Sequence, residues 1–286
     1  MGLRIDAFFD EPTNTVSYLV SDTESGTAAI IDPVLAFDLR NGHADVSSAR
    51  KILDAARDAG LTIAWVLETH IHADHLTAAH YIREKTGAKV AIGSRVGEVQ
   101  AVFRDTFGVA SGTAFDRLLN DGDILELGTQ RIRALHTPGH TPACVTYAIG
   151  DAAFVGDTLF MPDFGTARTD FPGGNASDLY RSIRRILSLP PKTRLFMCHD
   201  YKSAGRDHYA WETSVAEQRA CNVHIRAGIG EDEFVAMRIA RDATLAPPVL
   251  LLPSIQVNIR AGRFPEPDAN GTRYLKIPLT LHDEQA

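Results

Sequence analysis

Apolar residues recur along this chain with two different periods, and the two alternate. "TVSYLVSD" and "TAAIIDPV" are β-branched, apolar runs parted by Ser, Asp and Gly, so they predict two strands and a turn. From Val46 to Gly60 the apolar positions Val46, Ala49, Ile52, Leu53 and Ala56 share one helical face, with Asp45 as an N-cap candidate and Gly60 as the stop. "IAWVLETH" predicts a buried strand, "LTAAHYIREKTG" a helix ending at Gly87, and "AKVAIG" another strand. Val96, Val99, Phe103 and Phe107 again follow helical spacing and read as a core-facing stripe. "DILELG", "QRIRALHT", "ACVTYAIG" and "DAAFVGD" are short runs punctuated by Gly and Asp, as in an antiparallel meander. "ASDLYRSIRRILSLP" predicts a helix stopped by Pro190, and "TRLFMCHD" a strand ending on His199. "HYAWETSVAEQRACNVHI" and "DEFVAMRIARD" read as helices, followed by an irregular Pro-rich tail from Ala246. No repeat, low-complexity tract or clear linker interrupts the series. The order of elements argues for a layered α/β sandwich whose loops carry the chemistry along one sheet edge.

Composition narrows the classes. The chain has 286 residues, 44% hydrophobic and 23% charged, the profile of a soluble globular protein. Its net charge is -7, and no Lys/Arg stripe marks a nucleic-acid surface. No apolar run reaches the roughly 18–20 residues that span a bilayer. "MGLRIDAFFDEP" lacks a signal core, so a cytoplasmic location is expected. Cys144, Cys198 and Cys221 form no CxxC and fit a reducing compartment. His43, His208 and His282 lie in polar surroundings and read as exposed; His80, His136 and His224 read as structural.

Four places supply metal-ligand types. "THIHADH" offers His70, His72, Asp74 and His75; "TPGHTPA" offers His140; "FVGDTLF" offers Asp157; "MCHDY" offers His199. Each follows a strand-like run directly or after a short turn, so all four are expected at one sheet edge. Imidazole and carboxylate suit divalent zinc or iron. His70 and His72 are two apart and would face opposite ways in an extended chain, so sharing a metal requires a tight turn. Gly139 and Gly156 allow close backbone approach.

These motifs, in this order, resemble the signature of the metallo-β-lactamase superfamily over most of the chain, up to about residue 205. The resemblance implies an αββα sandwich with the metal site at the edge of the two sheets. Residues 1–245 would form the catalytic domain and 246–286 a C-terminal extension packed on it. Within the superfamily, "AIIDPVL", "HTPGHTPACVTY", "ARTDFPGG", "CHDY" and "VNIRAG" resemble the persulfide dioxygenase branch, in a bacterial form. "GDTLF" is neutral or leans towards glyoxalase II, whereas Ile71 breaks the histidine run of the glyoxalase II pattern.

The dioxygenase resemblance implies one Fe(II) per chain, held by His70, His140 and Asp157, and oxidation of glutathione persulfide by O2 to sulfite plus thiol. His72, Asp74, His75 and His199 would then act around the iron. Arg168, Tyr201, Lys202 and Arg260 are the candidates for contact with the thiol's carboxylates, although Arg168 equally suits a bracing pair with Asp170. Cys144 reads as a buried strand cysteine or a group near the open metal edge. A homodimer accords with the same resemblance. Two alternatives stay open: a dinuclear zinc thioesterase of glyoxalase II type, since every ligand for two metals is present, and a metal-binding sensor without turnover. The long segment after Tyr201 departs from the mitochondrial pattern and leaves the exact thiol open.

Overall fold

The computed structural model describes residues 2–108 and 114–280. Strand Thr15–Asp22 shows how the layers arise. All eight of its residues are buried, and alternate side chains enter different cores: Val16, Tyr18 and Val20 face one cluster, Leu19 the other. The neighbouring strand Thr27–Ile31 divides likewise, with Ala29 and Ile31 on one side and Ala28 and Ile30 on the other. A strand apolar on both faces needs a layer on each side.

The first sheet pairs Leu3–Asp10, Thr15–Asp22 and Thr27–Ile31 antiparallel, then adds Thr62–Leu67, Lys89–Gly93 and Arg117–Leu119 in parallel. The second runs Ile124–Leu127, Gln130–His136, Val145–Ile149, Ala152–Phe154, Arg194–Phe196 and Glu212–Ser214. Its first four strands form the expected meander, and Arg194–Phe196 joins in parallel. Tyr18, Phe154 and Phe196 pack their rings between the sheets, with centroids 5.0 to 5.6 Å apart. Helices Ser47–Asp58, Ala79–Thr86 and Val96–Phe107 cover the outer face of the first sheet. Ala176–Leu187, Val215–Cys221 and Glu231–Asp242 cover the second. The result is the αββα sandwich.

Four local expectations change. Asp45 is not the N-cap residue; Val46 is, although Asp45 still accepts from the Ser47 amide at 2.6 Å. Leu76–Thr77 is a short strand beside Val34–Asp38, and the helix begins only at Ala79. The run 208–225 is not one helix: Glu212–Ser214 pairs with Arg194–Phe196, and Ser214 caps a helix ending at Cys221. The tail contains helix Leu251–Asn258, whose Pro253 occupies the first turn, where a missing amide hydrogen costs no helical bond. Ile255, Val257, Ile259 and Ala261 enter the first core, so helix Leu251–Asn258 and the turn after it pack against the sandwich. His282 lies outside the described residues.

Candidate metal centre

The ends of strands from both sheets meet at one edge. Thr62–Leu67 leads into the loop 68–75, Gln130–His136 into His140, Ala152–Phe154 into Asp157, and Arg194–Phe196 into His199. Two glycines permit this convergence. A Cβ on Gly139 (φ +139°) would lie 2.3 Å from the Leu179 backbone, and one on Gly156 (φ +53°) 2.7 Å from Thr69 Oγ1.

Each histidine at this edge has one ring nitrogen occupied by the protein. His140 Nδ1 lies 2.8 Å from the Arg168 carbonyl, His75 Nδ1 3.1 Å from that of Leu76, and His199 Nδ1 3.2 Å from that of Asn14. His70 Nδ1 lies 3.0 Å from Thr69 Oγ1, which itself donates to Asp32 Oδ2 at 2.7 Å. His72 uses Nε2, 3.0 Å from Asp32 Oδ1. These contacts fix the tautomers and direct the other nitrogens inward. His70 Nε2, His72 Nδ1, His75 Nε2, His199 Nε2 and Asp157 Oδ1 are buried without a hydrogen-bond partner among the described residues. Unsatisfied buried polar atoms are costly, and five such atoms at one sheet edge, among residues grouped closely enough to share an ion, fit divalent cation binding.

Distances sort the ligands. Asp157 Oδ2 is 3.8 Å from both His70 Nε2 and His140 Nε2, and Asp157 Oδ1 is 3.3 Å from His199 Nε2. His199 Nε2 is also 3.2 Å from Asp74 Oδ2, at angles that leave it without a hydrogen bond. Two ligands each ~2.1 Å from one ion and roughly 90–110° apart lie about 3.0–3.4 Å from one another; the His199 spans fall in that range, and those of Asp157 to His70 and His140 are a few tenths of an ångström wider. His70, His140 and Asp157 form one group; His72, Asp74, His75 and His199 form a second. Asp157 presents one oxygen to each.

Burial lowers the His70 imidazole well below its ordinary range and His75 to about 4, so both stay neutral as a ligand must. Burial also acts on His72, but the Asp32 and Glu68 carboxylates outweigh it and raise His72 well above its ordinary value. Burial raises the Asp157 carboxyl.

Asp32 was invisible as a site residue in the sequence, where "AIIDPVL" suggested only a hairpin. It is 2% exposed and anchors His72 directly and His70 through Thr69. Its φ of +48° is strained for a residue with a side chain. Glu68, at 3.4 Å from His72 Nε2 and bonded by Thr77 Oγ1, was likewise missed. Aspartate before proline at a strand end was the only available signal.

His140, Asp157 and Asp74 open into a pocket of about 420 Å³ walled by Phe160, Phe164, Arg168, Tyr201, Arg238 and Arg241. Of the expected substrate contacts, Arg168 and Tyr201 line it. Arg168 is also braced, forming a two-bond pair with Asp170 (2.6 Å each) and donating to the Ala246 carbonyl. Tyr201 stacks on His199 with centroids 5.6 Å apart. Lys202 and Arg260 are not brought to the pocket. The Lys202 ammonium sits over the Tyr209 ring, and Arg260 donates to the carbonyls of Gln256 and Phe107. Arg241, absent from the sequence reading, forms no ion pair among the described residues. Cys144 is buried, and Thr141 donates to its sulfur. A larger apolar groove of about 760 Å³ lies across the strap Pro247–Val249 and includes none of the metal-ligand candidates.

Residues 10–199 match the model of the metallo-β-lactamase superfamily. A probable metallo-hydrolase of Burkholderia pseudomallei is 54% identical over 97% of this chain and 99% of its own. The Glyoxylase B2 of Dictyostelium discoideum is 44% identical over 96% and 97%. The human mitochondrial persulfide dioxygenase ETHE1 is 30% identical over 89% and 87%. The chain spans 64% of the length of a β-lactamase hydrolase-like protein of Xylella fastidiosa, at 50% identity. Among solved structures, ETHE1 from Myxococcus xanthus superposes with a TM-score of 0.74 at 32% identity, covering 92% of this chain and all of the other. With the ordered ligand motifs and the four-layer sandwich, these likenesses show that the chain belongs to the metallo-β-lactamase superfamily.

Proposed function

We propose that the protein is a persulfide dioxygenase working at one Fe(II) held by His70, His140 and Asp157. The observation that carries this reading is the separation of the ligands: two histidines and one carboxylate group together without His72, although His72 is next but one to His70. A 2-His-1-carboxylate set with open positions is the arrangement of non-heme Fe(II) oxygenases. When bound, iron would supply the redox chemistry and adjoining sites for a sulfur and O2, which redox-inert zinc does not.

The chain's own residues complete the reading. Asp32 holds His72 and, through Thr69, His70, while the Arg168 carbonyl orients His140. Tyr201, raised above the ordinary phenol range by its partial burial and by the Asp74 and Asp157 carboxylates, stays a neutral hydrogen-bond donor on the pocket wall. Asp170 neutralises Arg168 and Asp242 neutralises Arg238, so Arg241 leaves the wall cationic. That charge suits a carboxylate-bearing thiol such as glutathione persulfide.

A dinuclear zinc thioesterase is the second reading. The approach of Asp157 Oδ1 to His199 and the unpartnered nitrogens of His72, His75 and His199 favour it. Metal content of anaerobically purified protein, with O2 uptake on adding glutathione persulfide, decides between them. One iron per chain and stoichiometric O2 consumption are expected. Two zinc ions with hydrolysis of S-lactoylglutathione would overturn the proposal.

A further inference from the structure

The motif "VNIRAG" stands outside the pocket, yet one of its side chains reaches the histidine loop. Asn258, 1% exposed, ends helix Leu251–Asn258. Its Nδ2 donates to the carbonyls of His72 and His75, both at 2.8 Å, and its Oδ1 accepts from the Thr77 amide at 2.8 Å. One amide group therefore satisfies two carbonyls of the loop and one amide of strand Leu76–Thr77, from residues 181 to 186 positions away. Without such a tie, His70 and His72 would face opposite ways. Drawing the carbonyls of residues 72 and 75 onto one point holds the loop bent at the two residues whose rings lie 4.2 Å apart, and both belong to one group of ligand candidates.

The support behind Asn258 is equally definite. Gln100 Nε2 donates to the Ile259 carbonyl at 2.9 Å, and Arg260 Nη2 to the Phe107 carbonyl at 2.9 Å, tying the motif to helix Val96–Phe107. Ile255, Val257 and Ile259 share a core with Ile71 and Ala73 of the loop and with Leu76 just after it.

We infer that Asn258 is a positioning residue for the metal centre, and that the C-terminal segment acts as a clamp that gives the histidine loop its metal-binding shape. This holds for one metal or two and for either reaction. Groups that orient metal ligands typically contribute about 10–100-fold in affinity, and an effect in that range is expected here.

The test is titration of Co(II) into chelator-stripped full-length protein, followed by its visible spectrum and by chelator competition. Asn258→Asp keeps the shape and the acceptor for Thr77 but sets a carboxylate oxygen against two carbonyl oxygens. It should bind Co(II) about 10–100-fold more weakly, with an altered spectrum. Gln256→Ala is the control: this buried amide of the same helix bonds only Leu252 and Lys276. It should lower the melting temperature while keeping Co(II) affinity and spectrum. If N258D does not fold, Asn258→Ser, which retains one donor, is held to the same expectation. Unchanged affinity and spectrum in the folded Asn258 variant would overturn the inference. So would equal weakening by Q256A at matched loss of melting temperature. Because the readout is metal binding alone, a failure to oxidise persulfide leaves this result standing.

Discussion

Replacing Asp242 by Ala removes the centre of a buried network behind the pocket. Asp242 Oδ1 is 2.9 Å from Arg238 Nε and 2.7 Å from Arg238 Nη2; its Oδ2 accepts from the Thr169 amide at 2.8 Å and hydroxyl at 2.9 Å. Arg238 is 1% exposed and Asp242 6%. The substitution strands a guanidinium in the interior, and loss of one member of a buried pair costs about 3–5 kcal/mol. Thr169, 9% exposed, recovers part of its loss by bonding water, so about 4 kcal/mol is expected in all. At ~2–4 °C per kcal/mol, the melting temperature falls by roughly 8–16 °C. Urea unfolding followed by circular dichroism measures the change. Arg238→Met combined with Asp242→Leu should recover most of it, because a hydrophobic pair of similar size leaves no charge behind. A cost under about 1 kcal/mol for D242A, or a double variant no better than the single, would refute the reasoning. Metal retention is a second readout, since Thr169 follows the residue whose carbonyl orients His140.

Asp157→Ala should lose iron and activity together, because it removes the oxygen facing His70 and His140; His72→Ala should retain most of the iron, and equal loss in both variants, read by metal analysis, favours the dinuclear reading. Arg241→Ala should raise KM for an anionic persulfide about ten- to a hundredfold, the worth of one charged hydrogen bond, with kcat and metal content little changed; an unaltered KM removes Arg241 from substrate recognition. Burial holds the Cys144 thiol at about 12 and raises Cys198 well above its ordinary value. At pH 8, therefore, only exposed Cys221 should react promptly with a thiol reagent; three fast thiols in the folded protein contradict this. The sign is fixed by linkage: unfolded Cys144 ionises near 8.5, so its contribution to stability is intact below that pH and is lost as pH rises towards 12.

The ligands themselves were legible because each follows a strand whose apolar run is unmistakable, and strand ends of one sheet edge must converge. "IAWVLETH" and "TRLFMCHD" carry both signals at once. The groups that hold the ligands were not legible. Asp32 meets His72 across 40 positions, Asn258 meets it across 186, and Asp242 meets Thr169 across 73; no local period encodes such pairings. Arg238 and Asp242 sit four apart on a helix and look like an ordinary solvated i,i+4 pair, and only packing shows them to be interior. The Pro-rich tail concealed its helix because Pro247, Pro248 and Pro253 punctuate the region, although Pro253 lies where a helix accepts it.

His70, His72, Asp74 and His75 hang from the first sheet, while His140, Asp157 and His199 hang from the second. Each ligand group draws on both sheets, so neither is complete until the two sheets have docked. Metal loading is then a late event in the life of the chain, and a bound ion staples the open edge of the sandwich. Chelation should accordingly loosen that edge first, exposing the loop 68–75 to proteolysis while the opposite edge stays closed. Metal content becomes a measure of finished assembly as well as of catalytic competence.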